Sequence, residues 1–156
     1  MDLERYTDNA KETMVEAMEM ARALDHQTIT TNHVMKAILS NNKKRFKKLI
    51  ELAGGDYFLV LQDVDKLLIS FPRVEGHKNL FIDTKLSEAI KDSERFSDKL
   101  GDKFIGLEAL FLGIVLGTSE LAKKLVSKMK NSNRLEDIVL ADRKGNKIES
   151  QGHQEG

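Results

Sequence analysis

A chain of 156 residues fits one domain and can bury roughly 68–70% of its unfolded surface. Its 25 basic and 25 acidic residues cancel, so no long-range field selects nucleic acid, an anionic membrane or an acidic substrate. The lack of cysteine excludes disulfides, thiolate nucleophiles and cysteine-ligated zinc. With one proline and no apolar run near the ~20 residues of a membrane span, the composition predicts an all-α, soluble, cytosolic domain.

The first helix is predicted from Thr7 to Leu24, where Ala10, Met14, Ala17, Met18, Ala21 and Leu24 recur at three- and four-residue steps. Thr7 or Asp8 is its expected cap. After a polar break at 25–30, Val34 to Leu39 is apolar on most sides, as in a short enclosed helix capped by Thr30 or Thr31. Residues 43–53 put Phe46, Leu49, Ile50 and Ala53 on one face, and Gly54-Gly55 marks the end of that helix. A fourth helix is expected from Asp56 to Ser70, where Pro72 forbids continuation and 71–82 becomes a connector.

The second half repeats the plan. Asp83 caps a helix that Gly101 ends, Leu107–Leu116 forms an apolar helix, and 119–130 and 133–140 supply two more. A gapless self-match at a shift of 76 places Leu24 on Leu100, Ile29 on Ile105, Ile38 on Ile114 and Lys47-Lys48-Leu49 on Lys123-Lys124-Leu125. Thr7 falls on Asp83, cap on cap. Two four-helix repeats (7–70 and 83–140) related by a pseudo-twofold axis would therefore make one domain over 1–142, with a groove at their joint. Residues 143–156 have the composition of a flexible linker.

The opening Leu3–Thr7, the turn His26-Gln27-Thr28-Ile29 with His33 beyond it, and its counterpart Gly101 to Glu108 resemble the N-terminal domain of the Clp-type AAA+ unfoldases. The connector Phe71-Pro72-Arg73-Val74-Glu75-Gly76 and the end from Arg143 to Gln151 are similar to the disaggregase branch rather than its protease-linked relatives. The resemblance implies a non-catalytic domain that engages unfolded or aggregated polypeptide for a hexameric motor, the piece itself being monomeric. ATP and magnesium would belong to modules beyond these residues, and no P-loop motif occurs here. Thr7, Asp102 and Glu108 match family residues implicated in substrate handling. On that basis the two carboxylates would rim an apolar groove lined by Ile90 and Ala109, and Asp102→Ala would weaken binding with little change in melting temperature. Asp92, Ser93 and Ser97 stand where the family often has a leucine-rich face, which predicts a shallower groove.

Plainer readings stand beside these. Thr7 serves as a cap, and Asp102 and Glu108 as partners of a helix dipole worth roughly 0.3–1 kcal/mol. His26 and His33 lack a third metal ligand at a fitting spacing and are expected to cap or bond within the core. Two alternatives remain: an adaptor-docking domain of a protease-linked unfoldase, and, more remotely, a nucleic-acid binder using the basic residues of 43–48.

Overall fold

The helices that start at Asp8, Thr31, Tyr57, Thr84 and Glu120 each begin where a short polar side chain satisfies a free first-turn amide. In the computed structural model, which describes residues 2–76 and 79–155, the Thr7 hydroxyl accepts from the Ala10 amide at 3.1 Å and opens α1 (Asp8–Ala23). Thr30 caps α2 (Thr31–Asn41), and His33 reaches back to the Thr30 amide to complete a capping box. Following α3 (Lys43–Leu52), Asp56 caps α4 (Tyr57–Ser70). Asp83 caps α5 (Thr84–Leu100), and Ser119 caps α7 (Glu120–Ser127) after α6 (Leu107–Val115). α8 (Leu135–Arg143) is the last of the eight helices among the described residues. Met1, Gly156 and the connector's His77 and Lys78 lie outside those residues.

The duplication is visible as a reciprocal exchange across the joint. α1 and α5 start 76 positions apart, as do α2 and α6. Two short parallel strands that periodicity did not predict, β1 (Thr28–Ile29) and β2 (Phe81–Ile82), pair the turn of the first half with the lead-in of the second. The mirror of Ile29 against Ile82 is an isolated parallel bridge of Ile105 with Tyr6, each residue moved by the same 76. The Asp83 amide donates to the Ile29 carbonyl at 3.0 Å, and the Thr7 amide donates to the Ile105 carbonyl at the same distance. Even the backbone at the ends of α1 and α5 corresponds: Asp25 has φ 58° and its counterpart Gly101 has φ 77°.

One core runs through both halves. The Phe46 and Phe111 rings, from α3 and α6, lie 5.0 Å apart and are fully buried. Helices α5 and α6 approach closely because Gly113 has no side chain and Ser93 opposite it is small: a Cβ on Gly113 would collide with the Ala89 carbonyl. Ser93 and Ser97 are both buried and donate to backbone carbonyls, Ser93 to Ile90 and Ser97 to Phe104, so they are part of the packing and not of an open face.

The groove expected at the joint is apolar, whereas a concavity beside the start of α6 has a lining of mixed polarity. This concavity, about 180 Å³, sets Arg45, Glu108, Asp142 and His153 beside Phe46, Leu107 and Ile148. The expected linker at 143–156 also needs correction. Arg143 ends α8 and is buried, and the described residues 144–155 return over the second half, where Ile148 is 2% exposed. The Lys103 amide donates to the Ile148 carbonyl and the Asp8 amide to the Gln151 carbonyl. The packed domain therefore extends to residue 155. No described helix is long and apolar enough to cross a membrane.

Candidate functional site

The residues singled out from the sequence converge at the N-terminal end of α6. Asp102 follows the left-handed Gly101 that ends α5, and Glu108 stands in the first turn of α6. Thr7 leads into α1 and is tied to the same turn by its amide. The three are brought to one place by the exchange of lead-ins and turns, although about a hundred positions separate Thr7 from the others.

What the turn does with its carboxylates is structural first. Arg143 donates to both oxygens of Asp102, Nη1 at 2.5 Å and Nη2 at 2.8 Å, and its Nε donates to Glu108 at 2.6 Å. Arg45 on α3 pairs with the other Glu108 oxygen and with Asp142. Lys48 joins at 2.9 Å from Asp142. Burial pushes the Asp142 carboxyl upward, but the hydrogen bonds and charges of Lys48 and Arg45 outweigh it and hold the group below its ordinary range. This chain of ion pairs joins α3, α6, α8 and the turn, which no local spacing in the sequence could have shown.

The expected carboxylate rim is accordingly revised. The Asp102 side chain has no exposed surface and also accepts the Ile148 amide at 2.9 Å. Removing it would leave Arg143 buried and short of a partner, so Asp102→Ala is destabilising, contrary to the expectation of an unchanged melting temperature. Ala109 is fully buried and has no surface to offer a ligand, while Ile90 is half-buried against the core. Glu108 and Arg143 line the concavity, and Asp102 is held behind Arg143, outside that lining.

Glu155 is the site residue the sequence reading missed. Its carboxylate accepts the Leu107 amide at 2.8 Å, at the start of α6, where the helix dipole favours a negative group. Burial pushes its carboxyl upward, opposed by the Thr7 hydroxyl, the Leu107 amide and the charges of His153 and Arg143. Glu155 and Ile148 both lie over Gly106, where a Cβ would meet their side chains. Its position near the end of a polar stretch left no signal.

The remaining sequence candidates find partners elsewhere. His26 Nδ1 and His33 Nε2 bond to each other at 2.8 Å, beside the Phe71 ring. Lys43 and Lys47 lie over the ring of Phe58, and Arg45 and Lys48 are in the ion-pair chain, so much of the basic run is engaged with the protein's own groups.

Residues 5–129 match the family model of the Clp repeat (R) N-terminal domain, and the chain belongs to that family. Its curated relatives include the chaperone protein ClpB of Mesorhizobium japonicum, 27% identical over 96% of this chain, and that of Rhizobium meliloti, 27% identical over all of it. The chain spans 18% of the length of either relative. Among solved structures, the N-terminal domain of Hsp104 from Candida albicans superposes with a TM-score of 0.80 at 15% identity, covering 94% of this chain and 97% of that one. A ClpV N-domain in complex with a VipB peptide gives 0.68 at 16% identity, covering 90% and 89%. The fold is thus that of the Clp N-domains, and the chain is an N-domain similar to those of ClpB chaperones.

Proposed function

We propose that this domain binds non-native polypeptide for a ClpB-like ATP-dependent disaggregase, whose ATPase modules would hold ATP and magnesium in a hexamer. The face used is the one where the lead-in Glu4–Asp8, the turn Asp102–Gly106 and the start of α6 meet. The observation that carries the reading is that Thr7, Asp102 and Glu108 converge there around backbone and side-chain groups already receiving a non-helical segment. The peptide held by the similar ClpV N-domain supports peptide binding by this fold. Binding needs no chemistry: burial of apolar groups gives affinity and charge gives orientation.

The test is an amide NMR titration of the whole chain with a reduced, carboxymethylated model protein. Shifts clustering at Thr7, Lys103, Leu107 and Glu108 are expected, and saturation without change at those amides would contradict the site. The second reading, docking of a folded adaptor by a protease-linked relative, is favoured by the likeness to the N-domain of the caseinolytic protease associated chaperone ClpD from Arabidopsis thaliana, with a TM-score of 0.65 at 14% identity. It predicts that a folded partner binds and unfolded protein does not.

A further inference from the structure

The return segment after α8 is held in the manner of a bound peptide. Among residues 144–155 only Ile148 is buried, and the others are exposed or half-exposed. The segment has no helix, and its two turns are closed by the Asn146 amide on the Arg143 carbonyl and the His153 amide on the Ser150 carbonyl. Its attachments are those with which a protein reads a foreign chain: the Lys103 amide to the Ile148 carbonyl, the Ile148 amide to Asp102, the Asp8 amide to the Gln151 carbonyl, and the Gln151 side chain to the Glu4 carbonyl. Two side chains anchor it, the aliphatic Ile148 and the carboxylate of Glu155, seven positions apart and both seated over Gly106.

We propose that the channel between Glu4–Asp8, Asp102–Gly106 and the start of α6 is a site for non-helical peptide, and that residues 147–155 are its intramolecular occupant. The ligand class follows from the anchors: an unstructured segment with a branched aliphatic residue and, seven positions on, a carboxylate for the Leu107 amide. An incoming client must displace the segment, which therefore sets the affinity of the face. This inference rests on the reading of that face as the polypeptide-binding one. With one buried apolar anchor and a carboxyl whose charge is disfavoured by burial, the segment is built to dissociate without disturbing the core.

The test uses the full chain with Ile148→Ala and Glu155→Ala together, and as probe a synthetic peptide of the sequence 144–155. In the double variant the segment's amides should lose exchange protection, and added peptide should shift the Asp8, Lys103 and Leu107 amides, which it leaves unmoved in the unaltered chain. The carboxymethylated protein should bind the variant several-fold tighter. A released segment with no shifts at those amides at millimolar peptide would overturn the proposal, as would client binding indifferent to the release. Peptide binding with no client binding would support the channel and remove the client reading instead. Should the double variant unfold, Glu155→Ala alone, at the half-exposed end of the segment, carries the same measurements.

Discussion

His33 shows how a side chain's bonds set its protonation and, through it, stability. Its Nδ1 accepts the Thr30 amide, so its proton sits on Nε2 and is donated to His26 Nδ1. Burial and the neighbouring His26 lower its pKa from 6.5 to about 4. Burial, then Arg73, also lowers that of His26. Between these values the unfolded chain binds protons that the folded one does not. Stability is therefore complete above about pH 6.5 and falls as pH drops toward 4, by up to about 3 kcal/mol for His33. Urea unfolding at pH 7 and 4.5 should show that loss, and His33→Gln should flatten it; an equal slope in both proteins would contradict the assignment. Arg143 is the other decisive residue. Arg143→Ala would leave the buried Asp102 without a cation and Glu108 with Arg45 alone, at a cost of about 3–5 kcal/mol, and Arg143→Lys, lacking the planar fork, should recover only part in the same denaturation experiment. Caps such as Thr7 and Asp83 were legible because a cap is local. The partners of Arg143 were not, since Asp102 and Glu108 lie 41 and 35 positions away.

Helices α1 to α8 were legible because apolar spacing reports which face each one buries, and predicted and observed ends agree to within a few residues. The two-residue strands were invisible to periodicity, since a pair this short contributes joint hydrogen bonds and no pattern. The serines of α5 show how a face can be misassigned: Ser93 and Ser97 read as the side of a shallower groove and turn out to be buried, Ser93 against Gly113 of α6 and Ser97 against the turn before it. Gly113 makes the same contact possible, its counterpart in the first half being Ala37. Gly113→Ala should cost about 1–3 kcal/mol through overpacking despite the higher helix propensity of alanine. A thermal melt that moved upward would show that α5 and α6 can separate at no cost.

At the scale of the whole molecule, the self-match in the sequence becomes a joint in which each half's turn pairs with the other's lead-in, over one continuous core. Unfolding followed by probes in α1 and in α7 should therefore coincide in one transition, and separate midpoints would mean two independent halves. The return of residues 144–155 was the part of the fold least legible in the sequence, because a polar stretch with one buried isoleucine has the composition of a tether. Its placement bears directly on the site, since it covers the face on which Thr7, Asp102 and Glu108 converge. Amide hydrogen exchange of the unliganded chain tests that placement most directly. The Ile148, Lys103 and Leu107 amides should be protected by orders of magnitude and open together, below the free energy of global unfolding. Exchange of all three at the rates of an unstructured peptide would contradict the account.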